Sequence, residues 1–283
     1  MRRMKSFDGT RIYYHYHKGK SPFTLVFLHG VGANWTIWKK EFDYFKRVGF
    51  SLLAIDMRGH GKSDAPDAMS KYRLPNFSKD IRAILKKEKI ENFAFLGHSL
   101  GGAVAINYCM LYKSLRPSAM VLVESARTYP FDHERLLNLK PYLTHLLRYI
   151  SKHKLSHHNH LRGFGDVDLS ASGMREDLHL LSHLVHLTPL RSIVKTLDNV
   201  EKYVFKNQSK IDGAIRSLEM PLLLLAGDQD PVIPPRFTKE IQTLHKSAEL
   251  RVLRDNHHMV VVEDADELEA VILEFLCPLV KNL

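Results

Sequence analysis

The sequence predicts an α/β architecture, a mostly parallel central sheet with helices on both sides, into which a helical insertion is set. Three observations carry that expectation. Short apolar runs recur between turn signals, helix-length amphipathic segments separate them, and the middle of the chain has helical periodicity without the strand rhythm. A length of 283 residues suits one large unit with an insertion and can bury an ample core.

Residues 12–16 alternate as an early strand, and 23–28 form an apolar strand ending at His29 and Gly30. Residues 34–46 place Trp35, Trp38, Phe42 and Phe45 at helical spacing. The apolar run 50–55 ends at Asp56. Over 75–89 Phe77, Ile81, Ile84 and Leu85 share one helical face. Strand 93–96 leads through a Gly-rich turn into helix 103–111, and 119–123 is the next strand. The rhythm breaks after Glu124. From 127 to 213 the chain reads as a helical insertion over the open end of the sheet, with Leu136, Leu139, Leu143, Leu146, Leu147 and Ile150 in one stripe. Residues 1–126 and 214–283 make the core, which resumes with strand 221–226, helix 236–244, strand 249–253 and helix 265–275.

Composition narrows the function classes. Apolar content of 45% and charged content of 25% fit a globular chain and argue against a disordered or fibrous one. The net charge of +10 would attract anions, but the basic residues are scattered among acids. Arg47, Lys86, Lys87 and Lys89 fall on polar helix faces, and no nucleic-acid-binding signature appears. No specific nucleic-acid partner is expected. Early positive charge at Arg2, Arg3 and Lys5 gives way to Asp8-Gly9-Thr10-Arg11, so no signal peptide is expected; the longest apolar runs are too short to span a bilayer. Two cysteines make no disulfide framework, Cys109 reads as a small buried residue, and a cytoplasmic location is expected. Nine of the seventeen histidines lie between His133 and His186, densest at His157, His158 and His160, yet no tetrahedral metal set can be assembled from them.

The chemistry concentrates in three places. Gly97-His98-Ser99-Leu100-Gly101 lies between a strand and a helix, where small flanking residues let a serine project from a strained turn. The helix start also offers free amides where negative charge would develop. A serine needs a base, and the base an orienter. Downstream, Asp228 and Asp230 follow one core strand, and His257 and His258 follow the next, in the order serine, acid, histidine. No dinucleotide-binding glycine fingerprint and no phosphate loop competes.

Together these motifs resemble the α/β-hydrolase superfamily, particularly its esterase, lipase, haloperoxidase-like and C–C-bond hydrolase branches. The resemblance covers almost the entire chain, with the insertion similar only in kind. His29-Gly30 resembles the oxyanion loop, and Asp56-Met57-Arg58-Gly59-His60-Gly61-Lys62-Ser63 the turn after the next strand. Gly97–Gly101 resembles the nucleophile elbow, and Gly227–Asp230 with Pro231 and Pro234 the acid turn. The resemblance implies a triad of Ser99, Asp230 and His258, with Asp228 in a supporting place. The spacing to Glu263 selects His258; His257, where glycine is common, is the alternative base. It further implies an oxyanion hole from the amides of Val31 and Leu100, supported by His29, Gly30, Gly97, His98 and Gly101. Asp56, Arg58 and His60 are expected to brace turns behind the site. An aspartate nucleophile is set aside because the elbow carries Ser99. The expected activity is hydrolysis of a small carboxylic ester through an acyl-enzyme, with water as co-substrate and without cofactor or metal. The insertion's apolar stripes lean toward a hydrophobic acyl group. Hydrolysis of a C–C bond, lactone or amide, and non-catalytic binding of a small ligand, are the alternatives.

Overall fold

The computed structural model describes residues 1–130 and 188–280. They form an eight-stranded sheet in the order β1-β2-β4-β3-β5-β6-β7-β8. β1 (Arg2–Lys5) pairs antiparallel with β2 (Arg11–His17), which runs antiparallel to β4 (Ser51–Asp56). From β4 through β3 (Thr24–Leu28), β5 (Phe93–His98), β6 (Ala119–Val123), β7 (Leu222–Gly227) and β8 (Glu249–Leu253), every pairing is parallel.

Every residue of β3 to β7 is buried, which is why these strands read as unbroken apolar runs. Their alternating side chains feed two separate cores. Val26, Leu28, Phe93 and Phe95 pack with α2 (Leu74–Glu88), α3 (Leu100–Leu111) and α4 (Leu190–Arg216). Leu25, Phe27, Ala94 and Leu96 pack with α1 (Lys39–Val48), α6 (Val260–Glu263) and α7 (Ala265–Leu276). The remaining described helix, α5 (Pro235–Leu244), contributes Ile241 to the first core. Each such large aliphatic or aromatic side chain, fully buried, contributes about 1.5–3 kcal/mol.

Several boundaries differ from the sequence expectation. β1 was unexpected because Arg-Arg-Met-Lys carries no apolar alternation; it forms as an edge strand in register with β2, where Met4 packs on the core. The first expected helix divides into a 3₁₀ turn (Trp35–Trp38), capped by Asn34, and α1, which closes at Gly49 with φ 106°. α3 starts at Leu100, directly at the elbow, and α4 continues to Arg216, past the expected return to the core. The Leu136–Ile150 stripe and the histidine-rich stretch lie outside the described residues. Cys109 is buried and Cys277 exposed, both as free thiols. No helix among the described residues is long and apolar enough to cross a membrane.

Topology locates the crevice. β3 leads to β4 on one side, and the chain then returns to β5 on the other. Loops leaving the carboxyl ends of β3 and β5 therefore diverge and open a cleft there. The loop after β4 is wired to the scaffold behind that cleft. Asp56 accepts the amides of Trp35 and Lys62, both at 2.9 Å, and a Cβ at Gly61 (φ 51°) would collide with its carboxylate. Arg58, wholly buried, donates Nε and Nη2 to Asp80 at 2.7 and 2.6 Å, and Nη1 to Asp8 at 3.1 Å and the Lys71 carbonyl at 2.8 Å.

One buried pair departs from this satisfied pattern. Glu41 of α1 is fully buried, and neither carboxyl oxygen has a hydrogen-bond partner among the described residues. Burial raises its pKa well above 4.5, with Glu269 of α7 adding to the rise. Glu269 is itself pushed up to about 7 by burial and Asp266, against the opposing charges of Arg47 and Lys40. Both groups hold protons in the folded state that the unfolded chain releases, so their stabilisation is full below about pH 4.5 and is lost as pH rises through their raised folded values, about 7 for Glu269. Glu41→Gln should therefore gain stability relative to the parent protein as pH rises from 5 to 8. Urea unfolding at the two pH values checks this, and an equal difference at both would contradict it.

Candidate active site

Ser99 stands between β5 and α3 with φ 51° and ψ −112°, a backbone few non-glycine residues adopt. Its amide donates to the Val123 carbonyl at 3.0 Å, tying the elbow to the end of β6. The glycines around it are needed for clearance. A Cβ on Gly97 would lie 2.8 Å from the Gly101 and Gly102 backbone, one on Gly101 would strike the Leu28 carbonyl, and one on Gly102 the Ser125 hydroxyl. Ser99 is half-buried, and the α3 N-terminus begins at the next residue, Leu100.

The loop after β3 lies against the elbow. A Cβ on Gly30 would approach His98 Nδ1 to 2.8 Å and the Ser99 Cβ to 3.4 Å, so only glycine lets Val31 and its neighbours come this close. His29 is fixed in one tautomer: the Met57 amide donates to Nε2 at 3.0 Å, so Nδ1 carries the proton and meets the Gly30 carbonyl at 2.7 Å. Burial, helped by His60, pushes its pKa well below 6.5. It joins the β3 and β4 loops as a neutral ring. His60, whose Nδ1 lies 3.0 Å from the Arg58 carbonyl, is pushed down to about 4 by burial.

The acid turn follows β7. Asp230 is buried; its Oδ1 accepts the amides of Val232 and Ile233 at 2.7 and 2.8 Å, and its Oδ2 lies 2.8 Å from His258 Nδ1. Burial works to raise the pKa of this carboxyl, but the His258 hydrogen bond and charge, with the two amides, hold it below the usual range. Asp228 is exposed. Of the two candidate bases, His258 meets Asp230. The His257 side chain is half exposed, and its backbone amide donates to Glu263 at 3.0 Å.

Two buried groups connect these parts. His98 Nε2 lies 2.9 Å from the His258 carbonyl and 3.0 Å from Glu124 Oε2. A carbonyl oxygen only accepts, so Nε2 carries the proton, and burial lowers the ring's pKa to about 4. Glu124, at the end of β6, is fully buried with φ 48°, and its Oε2 is 3.9 Å from His258 Nδ1. Sequence reasoning missed its part in the site. The available signal was an acid directly after an apolar central strand, at the carboxyl edge of the sheet. His98, Glu124 and His258 present ligand atoms within 4.8 Å of one another, but the protonated His98 Nε2 is a hydrogen-bond donor there, not a metal ligand.

Comparison with known proteins places the fold. A family model described as the alpha/beta hydrolase fold matches residues 24–265. The structure is similar to that of a carboxylesterase from the thaumarchaeon Nitrososphaera gargenis, with a TM-score of 0.76 at 21% identity, covering 100% of both chains. It is also similar to a bromoperoxidase from Bacillus anthracis, with a TM-score of 0.73 at 19% identity over 98% of this chain and 100% of the other. Bifunctional epoxide hydrolase 2 of Sus scrofa is 22% identical over 95% of this chain; the chain spans 53% of that relative's length.

The packing at the elbow sets up a paired test. Gly101→Ala should cost about 3 kcal/mol, because the helix start and β3 would have to separate. Gly213→Ala in α4, where nothing lies within 4 Å of an added Cβ, should instead stabilise by about 0.5–1 kcal/mol. Denaturant unfolding of both variants reads the contrast, and equal effects would refute the steric account of Gly101.

Proposed function

The chain belongs to the α/β-hydrolase family, and from that premise we propose that it is a serine hydrolase that cleaves carboxylic esters through an acyl-enzyme. Ser99 is the nucleophile, His258 the general base and Asp230 its orienting acid. The observation that carries this reading is the 2.8 Å contact between His258 Nδ1 and an Asp230 carboxylate whose other oxygen is held by two amides. With its proton on Nδ1, the imidazole leaves Nε2 free as a base.

His258 Nε2 takes the Ser99 proton as Oγ attacks the substrate carbonyl. The amides of Val31 and Leu100 stabilise the resulting oxyanion; one such donor supplies about 2.7–4 kcal/mol. The imidazolium then protonates the departing alkoxide as the carbon–oxygen bond breaks. Water enters, gives its proton to Nε2 and attacks the acyl carbon. Collapse of the second tetrahedral intermediate releases the acid and returns the proton to Ser99. The ester assignment draws on the carboxylesterase named among the structural neighbours. Two free thiols fit a reducing compartment such as the cytoplasm.

A fluorophosphonate probe with a panel of p-nitrophenyl esters tests the reading. The protein should label stoichiometrically, and Ser99→Ala should remove both label and turnover, the latter by a factor on the order of 10⁴ or more. His258→Ala should abolish most acylation, whereas His257→Ala should retain it. Labelling that persists in Ser99→Ala, or loss confined to His257→Ala, would sink the assignment. Absence of labelling with reversible ligand binding intact would favour the non-catalytic alternative.

A further inference from the structure

Glu124 has no role in the mechanism above, yet no other carboxyl among the described residues besides Asp230 lies so near the base. β6 runs between β5 and β7, so the strand bearing Glu124 separates those that lead to Ser99 and Asp230. The Glu124 amide donates to the Leu225 carbonyl at 2.8 Å, which fixes the residue as β6 ends, in the left-handed region that a bulky side chain adopts only under constraint. Its side chain is 0% exposed, with Oε2 on His98 and Oε1 lacking a hydrogen-bond partner among the described residues. A buried, half-satisfied carboxyl is costly, and the fold would be expected to replace it with an apolar residue unless it served something.

We propose that Glu124 is a positioning residue for the catalytic base: a second carboxyl beside His258 that, through His98, helps seat the base loop and becomes the Nδ1 acceptor when Asp230 is lost. This deepens the serine-hydrolase reading and rests on it. The geometry requires little movement. The imidazole has Asp230 at 2.8 Å and Glu124 at 3.9 Å from the same nitrogen, so a shift of about 1 Å exchanges one acceptor for the other. His98 holds the His258 backbone by its carbonyl meanwhile. The charged and titratable groups facing Glu124 are His98, His258, Asp230 and Glu263, with the Val260 amide. Two ionised carboxylates crowded around one imidazole repel each other, so Glu124 stays protonated while Asp230 is ionised. Burial, then Asp230 and Glu263, favour that neutral form against the pull of His258. Removing the charge at position 230 lifts part of that opposition and lets Glu124 ionise.

The test is a double-mutant cycle of Asp230→Asn and Glu124→Gln in the full chain, read by steady-state hydrolysis and by the low-field imidazole N–H proton in NMR. Where a triad has a single acid, its change to asparagine costs about 10⁴ in kcat. Here Asp230→Asn should cost only about 10², and Glu124→Gln alone about threefold in kcat at unchanged KM. The double variant should fall by about 10⁴, some thirtyfold beyond the product of the single effects. The low-field proton should persist in Asp230→Asn and vanish in the double variant. If Glu124→Gln does not fold, Asp230→Asn alone decides. Its low-field proton and a residual rate that climbs with pH as Glu124 ionises support the proposal, and loss of that proton overturns it. A double variant no slower than Asp230→Asn also overturns it. Failure of the parent protein to label with fluorophosphonate would overturn the serine-hydrolase reading instead, while the NMR arm still reports whether Glu124 holds His258.

Discussion

The backbone of Ser99, held at φ 51°, is the constraint around which the carboxyl edge of the sheet is arranged. A residue in such a region costs on the order of 1–3 kcal/mol and persists only where its surroundings over-determine it. The surroundings here are specific. The Ser99 amide is bonded to β6, α3 starts one residue later, and Gly97, Gly101 and Gly102 leave room for backbone to meet backbone. Gly30 brings the β3 loop to the same point from the other side. The strain at one residue is thus offset by the packing of three strands and a helix.

Much of this was legible in the sequence because it follows from local rules. Strands buried on both faces must be apolar throughout, so β3 to β7 were readable as short runs between turns. The elbow and the later acid and histidine positions stood out by residue type and chain order, and the family resemblance singled out Asp230 and His258. What could not be read was set by contacts distant in sequence. Nothing local to Arg2–Lys5 specifies a strand; its register against β2 does. Residue type and chain order alone left His257 and His258 both open, and they differ by which ring reaches a carboxylate 28 residues upstream. Glu124 looked like the end of a strand, and its neighbours His98 and His258 are 26 and 134 positions away.

The site combines neutral and charged buried groups in a consistent way. His29, His60 and His98 are all driven toward the neutral form by burial, so they can brace loops without adding charge beside Ser99. Charge is kept at Asp230, where two amides and an imidazole compensate it. This separation leaves His258 with an uncluttered electrostatic task, since the nearest histidine behind it, His98, is a hydrogen-bond donor and not a second cation.

The buried guanidinium of Arg58 has a wider implication. One of its partners, Asp8, lies in the turn between β1 and β2, the outermost hairpin of the sheet, while the other, Asp80, is on α2. The first nine residues therefore complete the charge balance of the buried loop after β4, the strand that pairs with their hairpin. A chain trimmed before Arg11 would lose more than an edge: it would leave a desolvated cation with one counter-ion, a defect worth several kcal/mol in comparable buried pairs. A hairpin that looks peripheral is, in electrostatic terms, the closing piece of the core.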